Sequence, residues 1–229
     1  MKNNLEILYE DNHIIVVIKP FNVLSQSDDT KDLDMLSIIK SYLKEKYKKS
    51  GNVYLGLVHR LDRPTGGIMV FAKTSKAASR LSESIRNNLF TKKYLAVVNG
   101  YLENDYGVFE DYIEKTNDNS SIISKNGKYA KLEYEVLKKN NNLSLVSVSL
   151  ITGRHHQIRV QFASRNHPLY GDQRYGKDDK KQLALYAYYL SFPHPISKQR
   201  LEFIKYPEKV GIWKEFWKEE NYVRNKKCK

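Results

Sequence analysis

The sequence predicts an α+β fold with a mixed, largely antiparallel central sheet and flanking helices, and three observations carry that expectation. Apolar runs of strand length recur along the whole chain, two segments show helical spacing, and strands follow one another across short polar turns. Strands and helices are interspersed without the regular alternation of a parallel α/β fold.

The runs at residues 6–9 and 14–18 read as two strands around a turn, the second halted by Pro20. Leu36, Ile39, Leu43 and Tyr47 share one face with lysines pointing outward, so an amphipathic helix is expected over 33–49, ended by Ser50-Gly51-Asn52. Strand-like runs at 54–59 and 68–72 flank the polar, turn-rich segment 60–67, which places that segment on a loop held between strands. Thr74 or Ser75 can cap a helix that places Ala78, Leu81, Ile85 and Leu89 on one face. Strands are expected at 94–98, 106–113, 130–137 and 143–150, the last two joined in an antiparallel hairpin by the polar run 138–142. A helix is expected over 153–166, then strands near 185–190 and 201–204, and a final amphipathic stretch with Ile212, Trp213, Phe216 and Trp217.

With 229 residues and 41% hydrophobic composition, the chain can bury a large core, and a single domain over 1–229 with a basic tail at 221–229 is expected. Lysine and arginine number 39 against 26 acids, a net charge of +13 that favours a polyanionic partner. No apolar run approaches the ~20 residues needed to cross a bilayer, and the N-terminus has no signal core, so a cytoplasmic protein is expected. The lone Cys228 excludes an internal disulfide and a cysteine-based metal cluster.

Two segments carry candidate chemistry. In His59-Arg-Leu-Asp62-Arg-Pro-Thr-Gly-Gly67 a carboxylate stands between Arg60 and Arg63 on a glycine-containing loop, and arginines beside a carboxyl favour the anion that nucleophilic work needs. The plainer alternative is an aspartate that caps a turn and pairs with those arginines at the surface. In Thr152-Gly-Arg-His-His-Gln-Ile-Arg159, Arg154 and Arg159 suit phosphate contact or a fixed partner for a carboxylate. His155 and His156 diverge as sequence neighbours and lack a third ligand, so no metal site is expected.

Taken together, the first segment resembles the HRLDxxTSG pattern of RluA-type pseudouridine synthases and the second their GRxHQ(I/L)R element. Lys19-Pro20, the run from Lys92 and Tyr94 to Gly100, and the run from His167 through Asp172 to Tyr175-Gly176 match further family elements in order, so the resemblance covers about residues 7–205. It implies the pseudouridine synthase catalytic fold, with Asp62 as catalytic aspartate, Tyr94 as the ring against the target base, Arg159 as the ion-pair partner of Asp62, and Ile158 packing in the pocket. RNA contacts are expected from Arg60, Arg63, Arg154, His156, Gln157, Ile158 and Lys19, the arginines through phosphates. Gly66 stands where the family pattern has serine, and the S4-like domain of some relatives is not expected.

The implied reaction breaks the bond from ribose to N1 of a uracil and joins the ribose to C5, so neither redox cofactor nor metal is required. The expected partner is rRNA or tRNA whose target base is flipped out, at an unstacking cost of roughly a few kcal/mol. A monomer without an obligate protein partner is the default. Two rivals are weighed against this. A non-catalytic RNA-binding module of the same fold predicts a degraded Asp62 or Arg159. A carboxylate glycosidase needs Asp172 or Glu83 paired with Asp62 in one pocket.

Overall fold

The computed structural model describes residues 5–30, 32–176 and 180–217, and the basic tail expected at 221–229 lies outside them. Among the described residues the elements run β1 (Ile7–Glu10), β2 (Ile14–Lys19), α1 (Met35–Lys46), β3 (Gly56–Leu57), β4 (Gly66–Ala72), α2 (Ser75–Arg86), β5 (Thr91–Asn99) and β6 (Tyr106–Lys115). They continue with β7 (Ser121–Ile123), β8 (Lys128–Asn140), β9 (Leu143–Leu150), α3 (Gln157–Ala163), β10 (Leu185–Pro193), β11 (Arg200–Ile204) and a 3₁₀ turn, Gly211–Glu215. The strands make one sheet in the order β1-β2-β4-β10-β5-β9-β8-β6-β7, with β3 added on β4 and β11 on β10. All these pairings are antiparallel except β4 with β10, where Tyr186 faces Gly66 and Ala187 faces Gly67. The expected α+β architecture with a mixed, largely antiparallel sheet is the one observed.

Side-chain alternation explains why β2 and β4 read as unbroken apolar runs. Ile15, Val17, Met69 and Phe71 join a core with Met35 and Ile39 of α1 and Phe162 of α3. Ile14, Val16, Ile68 and Val70 pack on the opposite face with Ala77 and Leu81 of α2. A strand covered on both faces has no polar face to show. Strand β6, covered on one face, buries Phe109 and Ile113 while Tyr106, Val108 and Tyr112 stay exposed.

Local chemistry sets the ends of the elements. Asp34 caps α1 by accepting the Ser37 N–H, and Thr74 caps α2 by accepting the Ala77 N–H. The β8–β9 hairpin turns at Asn141 and Asn142, both left-handed at φ 49 and 57, a conformation asparagine tolerates and a two-residue turn requires. Four expectations need correction. The helix expected over 153–166 shrinks to Gln157–Ala163, because His156 takes φ 52 and the residues before it form a turn bonded to Gln157. The strand expected over 54–59 is only Gly56–Leu57, and the short β7 was not expected. Leu89 lies exposed beyond α2, since Asn88 at φ 55 ends the helix first.

The parallel junction depends on two glycines. A Cβ at Gly66 would press on the rings of Tyr186 and Phe21, at 3.1 and 3.2 Å, so aromatic rings occupy the space of the serine found in the family pattern. Gly67 has φ +125, and a Cβ there would overlap the backbone of Ala187 on β10. Gly67→Ala is therefore expected to lower the unfolding free energy by roughly 2 kcal/mol or more, from backbone strain and a clash the paired strand cannot relieve, read as a lower urea midpoint.

Candidate active site

Asp62 lies on the loop between β3 and β4, and the loop is bonded to its surroundings along its length. Ser25 Oγ donates to the Leu61 carbonyl at 2.7 Å and accepts the Leu61 N–H at 3.1 Å. His59 Nε2 accepts the Val70 N–H at 3.1 Å, a role that needs a neutral ring, and burial and the Lys92 charge hold its pKa down to about 3. Lys19 Nζ donates to the carbonyls of Pro20 and Arg63, and Gln182 Nε2 donates to the carbonyl of Pro64. With Leu61 buried, these bonds leave Asp62 turned toward a cleft of about 720 Å³.

The opposite wall comes from β5 and α3. Tyr94 packs with Ile158 in the core and lines the cleft, where burial, with Asp62 nearby, pushes its phenol pKa up. Arg159 donates to Asp172 through Nε at 2.8 Å and Nη2 at 2.7 Å, and its remaining Nη1 reaches Asp62 Oδ2 at 3.5 Å. Asp172 is shut away from solvent and also accepts the N–H groups of Arg174 and Tyr175. The Tyr175 ring covers the Arg159 guanidinium at 5.1 Å. His156 brings Nε2 to 3.7 Å from Asp62 Oδ2, and burial lowers its pKa to about 4 against the pull of Asp62. Both approaches are to Oδ2, and Oδ1 accepts no hydrogen bond from the described residues.

The cleft charge is lopsided. Arg60, Arg86, Lys92, Lys115, Arg154 and Arg159 line it, and Asp62 is its one acid among the described residues. Burial lowers the Lys92 pKa, as expected for an ammonium group drawn out of water. Clusters of three or more potential metal ligands do not occur among the described residues.

Several assignments change with the geometry. Arg159 does pair with Asp62, through Nη1 at 3.5 Å, but it also gives a shorter two-pronged bond to Asp172 on the buried side. Lys19 is fully buried and bonded to loop carbonyls, so it supports the loop and does not meet RNA at the surface. Arg63 leaves the cleft to pair with Asp32 at 2.7 Å. Gln157 lines the cleft but is buried, its Oε1 accepting from Thr152 Oγ1 and the Arg154 N–H, which holds the turn before α3. Arg154 donates Nε to the Tyr129 carbonyl, and Arg60 stays exposed at the rim. The glycosidase pairing fails because Asp172 is sealed behind Arg159 and Glu83 is exposed on α2, outside the cleft lining. Lys115 and Ser121 escaped the sequence reading, since a lysine at a strand end and a serine in a polar stretch carry no local signal. Tyr175 and Lys92 lay inside recognised motifs without an assigned role.

A family model described as RNA pseudouridylate synthase matches residues 13–164, about two thirds of the chain. The chain belongs to that family. Its relatives include an uncharacterized RNA pseudouridine synthase of Aquifex aeolicus, 34% identical over 221 residues, covering 89% of this chain and 70% of the relative. The dual-specificity RNA pseudouridine synthase RluA of Haemophilus influenzae is 34% identical over 209 residues, covering 87% of this chain and 91% of its own length. The solved structure of human RNA pseudouridylate synthase domain containing 4 superimposes with a TM-score of 0.76 at 24% identity, over 89% of each chain, and shares the fold. The resemblance to RluA-type synthases read from the two loop motifs is thereby confirmed. Among the described residues, no helix is long and apolar enough to cross a membrane.

Lys19 offers a test of the loop's support. Burial draws its pKa from 10.5 to about 7, opposed by Asp62. Between those values the unfolded lysine holds a proton that the folded one has released, so this group makes stability rise with pH. Wild type is expected to gain stability relative to Lys19→Met as pH climbs from about 7 toward 10.5 in paired denaturation curves. A constant difference across that window would show that Lys19 keeps its ordinary acidity.

Proposed function

We propose that this chain isomerises uridines of folded RNA to pseudouridine, with Asp62 as the reacting carboxylate and rRNA or tRNA as substrate. The observation that carries the reading is that, among the described residues, a single acid is set among six lysines and arginines in one cleft, with Oδ2 approached by Arg159 and His156 and Oδ1 left open. A polyanion is drawn to such a cleft, and each phosphate contact made by lysine or arginine releases counterions and adds salt-sensitive affinity. A flipped uridine fits a cleft of this size, within the roughly 300–1,000 Å³ of ordinary ligand sites.

In the reaction the N1 to C1′ bond breaks and a C5 to C1′ bond forms, while the hydrogen on C5 leaves to solvent as a proton and N1 takes up a proton from solvent in its place. Atoms and electrons balance without an oxidant or reductant. Asp62 acts at the sugar or the base, Arg159 holds the carboxylate through Nη1, and Tyr94 gives the uracil an apolar ring to lie against. Base and aromatic stacking contributes about 1 to 3 kcal/mol, comparable with the unstacking cost of flipping. Arg60, Lys92 and Arg154 face the cleft where the flanking phosphates would run. A non-catalytic RNA-binding module is disfavoured by the intact grouping of Asp62, Tyr94 and Arg159.

The deciding experiment incubates the protein with unmodified rRNA and tRNA pools labelled with tritium at C5 of uridine. Wild type is expected to release tritium to water, and Asp62→Asn to release it at least about a thousandfold more slowly, as when an enzyme loses its reacting group. Salt-dependent RNA binding by wild type without tritium release from either pool would establish the binding module instead.

A further inference from the structure

Ser121 lies on β7 behind the cleft and is buried. Its backbone N–H donates to Tyr175 Oη at 2.7 Å, and Oη lies 2.8 Å from Nδ1 of His156. A backbone N–H can only donate, so the phenol keeps its own proton to give, and Nδ1 of His156 stands at hydrogen-bond distance to accept it. A neutral imidazole that accepts at Nδ1 carries its proton on Nε2. That nitrogen faces Asp62 Oδ2 at 3.7 Å.

The Ser121 hydroxyl imposes the opposite arrangement on His155. It donates to the His155 carbonyl at 2.8 Å, which leaves its oxygen to receive Nδ1–H of the same residue at 3.0 Å. The two rings stack with centroids 3.8 Å apart, so one serine sets both tautomers of a stacked pair. His156 meanwhile holds a left-handed backbone at φ 52, a conformation that costs a non-glycine residue about 1–3 kcal/mol and persists where the surroundings impose it.

We propose that Ser121 and Tyr175 fix His156 as the Nε2–H tautomer, making it a neutral positioning residue that works with Arg159 on Oδ2 of Asp62 and leaves Oδ1 to meet the uridine. The proposal rests on Asp62 being the reacting group. In the other tautomer a lone pair would face the carboxylate and push it out of line.

The test reads the tautomer and the kinetics separately. In ¹⁵N-labelled, RNA-free protein, His156, identified by the signal lost in His156→Gln, is expected to show the Nε2–H pattern. Tyr175→Phe keeps the ring over Arg159 but removes the hydroxyl. It is expected to show mixed tautomers and a kcat reduced roughly tenfold, with KM changed by less than about twofold. His156→Gln, whose amide N–H can stand in for Nε2–H, is expected to retain more activity than His156→Ala. An Nδ1–H pattern in wild type, or Tyr175→Phe with full kcat, overturns the proposal. The tautomer is read without RNA, whereas failure of wild type to release tritium sinks the synthase reading itself, so the two failures are told apart.

Discussion

Arg159 reaches from α3 to Asp172 in a two-pronged pair closed off from water, and the geometry of the site follows from that contact. Removing one member of such a pair would leave the other charge buried, a loss of about 3–5 kcal/mol, so the guanidinium is not free to wander. With Nε and Nη2 committed, Nη1 points toward Asp62, and the flat face of the guanidinium receives the Tyr175 ring. Tyr175 is thereby placed to touch His156, and His156 to face Asp62. A contact behind the cleft thus decides where two donors stand in front of it.

The sheet brings these groups together. The parallel pairing of β4 with β10 inserts a late strand into the middle of the sheet, between β4 and β5. The Asp62 loop, which leads into β4, therefore lies near Tyr94, which pairs with Ala187 across β5 and β10. Gly67 permits the close approach, and Phe21 with Tyr186 fills the space above Gly66. Around this centre the excess positive charge collects on the cleft wall, where a low-dielectric surround makes each lysine and arginine act more strongly on a polyanion than it would in open solvent.

Much of this was legible in the residue order. The apolar runs of β2, β4 and β9 announced strands because each is short, rich in branched residues and bounded by turn signals, even where burial on both faces erases the alternation. The two loop motifs brought Asp62 and Arg159 forward together because their residue patterns are long and specific. The helix before Pro168 was overextended, because left-handed backbone at a histidine has no local signature. β7 was missed because three residues of mixed polarity show no period.

The sequence by itself determined the fold class, the family and the residues of the two motifs, since each is written in local spacing. The tertiary structure decided what those residues touch. Lys19 and Gln157, one chargeable and one a neutral amide, became internal supports because the loops they hold have carbonyl and amide groups to satisfy. Asp172, 13 residues from Arg159, became its main partner, and Ser121 came to stand behind two histidines more than thirty positions away. Pairings of this kind depend on how distant segments pack in three dimensions, and local side-chain chemistry alone does not specify them.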